Sequence, residues 1–170
     1  MQELQRRLSD MEGILVSDIS LDLTQGRITL AGLPDKPGPC SNVFQVVAAN
    51  GIIVDMIVQN HTAGRPQLSF SVPIADLERA AKLVRQSAAT ITPPVEVAID
   101  AEIATINVLG VGMRSHTGVA RRMFGALARL GINIAMINTS EVRLSVVVER
   151  ARGEEACACL REVFLNSPSE

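Results

Sequence analysis

The loop from Pro34 to Pro39 carries the residues best suited to bind a small charged molecule. In its sequence, PDKPGP, the prolines stiffen the backbone and Gly38 permits close approach of a ligand. A helix is predicted to begin here, and its first N–H groups would favour an anion such as a carboxylate. Asp35 in the loop and Asp55 in the next strand could hold an ammonium group. Together these residue types predict a site for a zwitterion, which is an amino-acid site.

A purely structural interpretation of the same residues is also open. Pro-Gly before a helix is a common start signal, and Asp35 could act only as a capping residue. Asp55 interrupts an otherwise apolar strand, and a charge in that position normally needs a partner. That partner could be a neighbouring Arg or Lys with no role in binding.

Residues for bond-breaking chemistry do not occur in any recognisable arrangement. His61 in QNHTAGRP and His116 in RSHTG are interpreted as exposed turn or capping residues. The segment GVGMRSHTG lacks the Lys-Ser/Thr ending of a phosphate-binding loop. Cys157 and Cys159 lie two apart on a predicted helix, where they do not face each other, so we interpret them as buried apolar residues rather than metal ligands. We therefore predict no catalytic residue and no metal site in this chain.

The composition predicts a globular protein without affinity for nucleic acids or membranes. Of the 170 residues, 47% are hydrophobic and 20% are charged, and the net charge is −2. Four Phe with no Trp or Tyr argue against a surface that stacks on bases. No apolar run approaches the roughly 18 residues of a membrane span, and the start MQELQRRLSDMEG does not resemble a secretory signal. We expect a cytoplasmic location.

Apolar periodicity predicts eight strands and four helices. The strands are expected near Ile14–Leu21, Arg27–Leu33, Ile52–Gln59, Gln67–Val72, Val95–Ile99, Thr105–Val111, Ile132–Asn138 and Val142–Glu149. The helices are expected near Gly38–Asn50, Ile74–Ala88, Thr117–Leu130 and Glu154–Phe164. The motif TPP at 92–94 marks the clearest break, near the middle of the chain.

The chain contains an internal repeat. Four residues recur 80 positions later: Gly38, Phe44, Gly51 and Met56 recur as Gly118, Phe124, Gly131 and Met136. The loop glycine Gly32 recurs 78 positions later as Gly110, so the second loop is two residues longer. Glycines, a core Phe and a strand Met in one register indicate a duplication.

The order of elements predicts an α+β fold with two ferredoxin-like βαββαβ domains, each an antiparallel sheet with helices on one face. The first copy is complete, whereas the second, from Thr105, lacks its last strand. The N-terminal strand GILVSDISLDL can supply it, so the first domain would be inserted within the second. The predicted domains are 24–100, and 13–23 with 101–166, after an extension at 1–12. Neither half should fold well when the chain is cut at Asp100.

Two long segments resemble the paired ACT domains of the aspartokinase regulatory region. They are LAGLPDKPGPCSNVFQVVAANGIIVDMIVQN and NVLGVGMRSHTGVARRMFGALARLGINIAMINTSEVRLSVVV, of which the second, ending in INTSEVRLSV, is the more specific. The likeness extends from MEGILVSDIS to ACLREVF, without the amino-acid kinase domain of full-length aspartokinases. The chain is therefore similar to the separate β subunit of some bacterial aspartokinases, or to a piece cut to match it.

This resemblance implies feedback inhibition of the first step of lysine, threonine and methionine synthesis. It implies free threonine, lysine or both as ligands, a homodimer formed through the ACT domains, and a catalytic α subunit or kinase domain as partner. ATP and Mg would belong to that missing kinase domain, so no cofactor is expected in this chain. The alternative is a stand-alone ACT-domain sensor that acts on another enzyme or regulator.

The resemblance also implies site residues. The first effector site would consist of Asp35, Gly38, Cys40, Asp55, Gln59 and Asn60, closed across an interface by Asn133 and Ile134. A second site would consist of Met113, Ser115, Gly118, Ser140 and Glu141. Family members often have an acid where this chain has Ala135, the repeat position of Asp55. We therefore expect the Asp55 half to be the occupied one, with threonine slightly favoured over lysine.

Overall fold

The computed structural model describes residues 15–62, 65–111 and 117–166. The strands in these ranges are β1 Leu15–Asp22, β2 Gln25–Ala31, β3 Ile57–Thr62, β4 Arg65–Pro73, β5 Glu96–Asp100, β6 Ile103–Val111, β7 Met136–Thr139 and β8 Arg143–Glu149. The α-helices are α1 Pro39–Ala49, α2 Leu77–Ala88, α3 Thr117–Arg129 and α4 Gly153–Arg161. Short 3₁₀ turns, Ile74–Asp76 and Arg150–Arg152, lead into α2 and α4, and a π-helical turn, Glu162–Asn166, follows α4.

The strands form two four-stranded sheets. One sheet has the order β3-β4-β2-β5, and its β2–β4, β2–β5 and β3–β4 pairs are antiparallel. The other has the order β1-β6-β8-β7, so the N-terminal strand lies beside β6. This neighbour confirms that the N-terminal strand completes the second sheet, and it confirms the α+β fold with the first copy inserted in the second.

Contacts between Cα atoms divide the chain into two compact units. One unit runs from Asp22 to Ala104, and the other joins the described residues up to Leu21 with those from Thr105 onward. The extension predicted at 1–12 lies outside the described residues.

Each unit buries the apolar face of its sheet under its two helices. In the inserted unit the buried strand and helix residues include Ile28, Leu30, Leu68, Phe70, Val72, Val43, Val47, Leu77, Ala80, Ala81 and Val84. The Phe44 and Phe70 rings meet edge to face, with 5.3 Å between their centroids. In the other unit the buried residues include Ile106, Val108, Val119, Met123, Leu127, Val146, Val148, Ala156, Cys157 and Leu160.

The repeat is visible in how the first helix of each unit ends. Gly51 and Gly131 follow α1 and α3 with φ of 70° and 66°, a left-handed conformation that favours glycine. The N–H of Gly51 donates to Ala48 O, and the following N–H donates to Val47 O. The same two bonds recur after Gly131, so both helices close with a Schellman motif.

Strands β3 and β7 begin later than the sequence predicted. Their predicted starts were Ile52 and Ile132, whereas the structure places them at Ile57 and Met136. Both Ile52 and Ile132 are nonetheless buried, at 5% and 6% exposure. The apolar pattern that predicted longer strands therefore reflects burial after the helix rather than pairing with a neighbouring strand.

A β-bulge separates these buried residues from each strand. The N–H of Asp55 donates to Ser71 O at 3.2 Å, and the N–H of Ser71 donates to Met56 O at 3.0 Å, so two residues face one. The buried Ser71 hydroxyl also accepts from the N–H of Met56 at 3.1 Å. In the repeat, the N–H of Ala135 donates to Val147 O at 2.8 Å. Asp55 and Ala135 are both exposed.

Candidate functional site

The loop between β2 and α1 presents an uncapped helix start. Gly38 is the N-cap residue of α1, with φ of 115° and no side-chain hydrogen bond to the helix. A Cβ atom at this glycine would meet nothing within 4 Å, so there is open space beside the helix start. Asp35 lies exposed on the same loop, and Cys40 is half-buried as the second residue of the helix. The loop can therefore offer N–H donors and a carboxylate to one small ligand.

Gln59 and Asn60 lie at the same end of the sheet as this loop. Both are exposed on β3, an edge strand of the sheet. Asn60 pairs with Gln67 of β4, which in turn pairs with Ala31 at the end of β2. The loop and the end of β3 therefore lie at the same end of the sheet, with β4 between them.

Asp55 lies at the other end of the same edge strand. The bulge at Asp55 lies opposite Ser71 of β4, and Ser71 pairs with Arg27 of β2. The loop, in contrast, begins after Ala31 at the far end of β2. Four strand residues span about 13 Å, so Asp55 and the loop cannot hold one amino acid within a single copy of this unit. The predicted first site thus separates into a loop group and Asp55.

The predicted residues of the second copy lie partly in the described chain. Met113 and Ser115 fall outside it, and Gly118 is half-buried as the second residue of α3. Ser140 and Glu141 are exposed in the turn between β7 and β8. The Ser140 hydroxyl accepts from the N–H of Arg143 at 3.1 Å, which closes this turn.

Two further predicted residues, Asn133 and Ile134, precede strand β7. Asn133 is exposed and Ile134 is half-buried. His116 lies outside the described residues. His61 lies in strand β3 and not in a turn or cap, because β3 continues to Thr62.

A cavity missed by the sequence analysis adjoins the loop. It measures about 440 Å³, within the roughly 300–1,000 Å³ of small-molecule pockets. We call it the proline cavity; its lining residues are Ala31, Gly32, Leu33, Pro34, Asp35, Pro66, Pro93, Pro94 and Glu96. These residues come from three separate segments of the chain, so no local motif could have indicated the cavity.

The described residues provide neither a metal cluster nor a membrane span. Nowhere in the described ranges do three His, Cys, Asp or Glu side chains gather as a metal site would require. Cys157 is 3% exposed, and burial raises the pKa of its thiol. No helix in these ranges is both long and apolar enough to cross a bilayer.

Known proteins resemble this chain over nearly all its length. A family model described as ACT domain matches residues 106–164. The aspartokinase of Pseudomonas aeruginosa is 40% identical over 161 residues, which are 94% of this chain and 39% of that protein. The chain thus spans about two-fifths of the length of the curated relatives it matches.

Solved structures match most of the chain. The ligand-free regulatory subunit of aspartate kinase from Thermus thermophilus is 38% identical, with a TM-score of 0.83. The match covers 88% of this chain and 99% of that one. A structure of aspartokinase alpha and beta subunits is 37% identical, with a TM-score of 0.81 and coverage of 88% and 99%. The chain therefore belongs to the ACT-domain family of aspartokinase regulatory subunits.

Proposed function

We propose that this chain is the feedback-inhibition part of a cytoplasmic aspartokinase, which binds threonine, lysine or both between two copies of the chain and so controls phosphorylation of aspartate. The observation that carries this proposal is the uncapped start of α1 at Gly38, with Asp35 on the same loop. The N–H groups suit an α-carboxylate, and the aspartate suits an α-ammonium.

The edge strands support a site that two chains complete. Two large apolar side chains on the edge strands are exposed to solvent: Ile57 of β3 is 53% exposed and Ile137 of β7 is 45% exposed. An edge strand has unpaired backbone N–H and C=O groups, which can pair with a strand of another chain. If two such edges join so that the helices stay on one face of the combined sheet, they are related by a half-turn about an axis perpendicular to the sheet, and the paired strands are antiparallel.

Antiparallel pairing assigns the predicted residues to two sites. The residues before β7, Asn133 and Ile134, would lie beside the loop end of β3 in the other chain, as the resemblance implies. Asp55, which precedes β3, would instead lie beside the partner copy's β7–β8 turn and so belong with Ser140 and Glu141. Each site would then contain an acid for the ligand's ammonium group.

Control would follow from linkage. An amino acid held between chains can shift an equilibrium only by the difference in its affinity for two arrangements. Ligand at the interface also strengthens association of the copies by mass action. A catalytic subunit bound to one arrangement would therefore respond to the amino acid without contacting it.

A catalytic partner is proposed because the relatives are longer than this chain. The chain spans 39% of the Pseudomonas aeruginosa aspartokinase, and a structure of aspartokinase alpha and beta subunits contains a chain of matching length. A kinase domain or catalytic subunit would hold ATP and Mg. This chain would contribute the effector sites and the dimer contacts.

Reconstitution tests this function. A matching aspartokinase catalytic subunit is assayed with and without the purified chain, in the presence of threonine and lysine. We expect inhibition only when the chain is present, and Asp35→Asn should raise the inhibitory concentration about tenfold. Lys36→Gln, a change at the neighbouring loop position, should have no such effect. Kinase activity that ignores both amino acids in the reconstituted complex would contradict the proposal.

A further inference from the structure

We propose that the proline cavity binds a primary ammonium group on a short aliphatic stem, with Glu96 as the residue that contacts the ammonium. The cavity adjoins the proposed effector loop through Asp35 but does not use the start of α1. The proposal therefore goes beyond the proposed function, and it stands or falls separately from it.

The walls of the cavity suit an aliphatic stem. Four of its nine lining residues are prolines, which present ring carbons and lack an N–H. Ala31 and Leu33 add further apolar surface. The carbonyl of Pro94 lies near Gly32, where a Cβ would meet its oxygen at 3.7 Å. Such walls provide van der Waals contact and hydrogen-bond acceptors for a ligand that brings its own donors.

The charges of the cavity select a cation. Its two ionisable lining residues, Asp35 and Glu96, are both acidic, and the lining contains no Lys, Arg or His. Within the described parts of the chain, the Glu96 carboxylate takes part in no hydrogen bond or ion pair. An anion would be repelled here, whereas an ammonium group has three donors for carboxylate and carbonyl oxygens.

The strand register fixes the position of Glu96. It pairs with Ala31 on β2, and both residues line the cavity. The same row of the sheet continues through Gln67 to Asn60 of the edge strand. Glu96 is therefore held on a paired strand, which fixes its backbone position beside the cavity.

The repeat provides an internal control, because one proline of the wall, Pro66, is replaced at the equivalent position of the other unit. Val142 occupies the position of Pro66: the N–H of Gly32 donates to Pro66 O at 3.0 Å, and that of Gly110 donates to Val142 O at 3.0 Å. The backbone contact is the same in both units, but Val142 has no pyrrolidine ring. A ligand of the proline cavity should therefore affect Gly32 and leave Gly110 unaffected.

The test is an NMR titration of the whole chain with cadaverine, a diamine with no carboxylate, and with 1-pentanol as its neutral counterpart. Cadaverine should shift the amide signals of Ala31, Gly32 and Glu96 saturably and leave Gly110 in place. Pentanol should bind more weakly. Glu96→Gln should weaken cadaverine binding roughly threefold to tenfold, whereas Glu102→Gln, an exposed acid outside the cavity, should not.

Three results would overturn the proposal: no saturable shift with cadaverine, equal affinity for pentanol, or unchanged cadaverine affinity in Glu96→Gln. A parallel titration with threonine separates this proposal from the proposed function. Threonine shifts at Gly38 and Cys40 without a cadaverine response would remove the cavity site and leave the effector site. Cadaverine binding without a response to threonine or lysine would support the cavity site alone.

Discussion

Cys157 shows how a residue that resembles a functional group can be a core residue. It lies in α4 at the place that Ala81 holds in α2: each follows a buried alanine, Ala156 in α4 and Ala80 in α2. Ala81 is fully buried and Cys157 is 3% exposed. The thiol thus fills a small core position, as the sequence predicted, and burial has a consequence for its ionisation.

Stability should decrease at alkaline pH because of Cys157. Burial raises the pKa of this thiol, with smaller opposing effects from Arg161, which lowers it, and Asp18, which raises it. The folded state then holds the proton more tightly than the unfolded state. Stability is complete below the unfolded pKa of about 8.5 and is lost as pH rises through the folded value.

Urea unfolding from pH 7 to 10 checks this expectation. Cys157→Ala, which installs the residue of the repeat, should flatten the decline above about pH 8.5, while Cys159→Ala at the half-buried neighbour serves as control. An equally steep decline in Cys157→Ala and the unmodified chain would show that the thiol is not responsible.

Asp55 and Ala135 occupy equivalent positions of the two copies, and only the first of them carries an acid. Both side chains are exposed at a bulge, so changing them should not disturb the core. We expect Asp55→Ala to weaken amino-acid binding about tenfold, since a hydrogen bond to a charged group is lost. The variant should remain folded without ligand.

The reciprocal change, Ala135→Asp, should increase amino-acid affinity. It places an acid at the same bulge of the other copy and should tighten binding at the loop of the partner chain. Calorimetry on both variants checks the pair. Unchanged affinity in Asp55→Ala would remove Asp55 from any site.

At the scale of elements, both units have an arginine that donates to the carbonyl at the end of the first helix, but the arginine comes from a different position in each unit. Arg79 in α2 donates to the carbonyl of Asn50, at the end of α1, at 3.1 Å and pairs with Asp76 at 2.7 Å. In the other unit Arg152, before α4, donates to the carbonyl of Leu130, after α3, at 3.0 Å. A guanidinium therefore caps the first helix in both units.

The acid of each pair completes the exchange. Arg152 pairs with Glu155 at 2.6 Å. Along the chain the acid therefore precedes the arginine in the inserted unit, as Asp76 and Arg79, and follows it in the other unit. Glu155 holds the pKa of Arg152 above its usual value, and Arg152 holds that of Glu155 below it. The Arg152 and Glu155 side chains are 36% and 49% exposed, so solvent screens the ion pair and we expect the carbonyl contact to matter more for stability.

A charge exchange in the inserted unit tests this interpretation. Arg79→Met should lower the free energy of unfolding by about 1 kcal/mol, because the helix end loses its donor. Combining Asp76→Arg with Arg79→Glu recreates the order of the other unit and should recover most of that loss. Urea unfolding measures both variants. If the double variant is no more stable than Arg79→Met, position 76 cannot supply the cap.

How well the sequence predicts an element depends on how local its cause is. The ends of α1 and α3 are predictable because a left-handed residue favours glycine, and Gly51 and Gly131 stand in the same register. The starts of β3 and β7 are not, because the bulge depends on a bond to Ser71 on a distant strand. The same limit applies to the candidate site.

The loop site and the cavity differ in this respect. Asp35 and Gly38 lie in one short segment of the chain, so their chemistry can be predicted from a short motif. Their separation from Asp55 follows from the register of β3 against β4, which no motif states. Glu96 joins the cavity only because β5 pairs with β2.

At the scale of the molecule, the inserted unit begins and ends on neighbouring strands. Its first and last strands, β2 and β5, are paired, and Arg27 of β2 binds Asp100 of β5 at 2.7 Å. The other unit needs β1 from before the insertion, and Arg161 of that unit donates to the carbonyl of Ile19 at 3.0 Å. The two units therefore differ in what each requires to fold.

Cutting the chain tests this difference. The piece 101–170 lacks β1, leaves one side of β6 unpaired and should show no cooperative unfolding. The piece 22–104 contains all four strands of its sheet and should unfold cooperatively. Circular dichroism during urea titration measures both. A stable, cooperatively folding 101–170 piece would contradict the requirement for β1.

The central claim is that this chain holds free amino acids at its loops, and calorimetric titration tests it most directly. Threonine and lysine are added to the purified chain, singly and then together. We predict saturable heat with at least one of them, together with a higher melting temperature and a greater fraction of dimer, because the ligand binds between copies. No heat and no stabilisation with either amino acid would contradict the account.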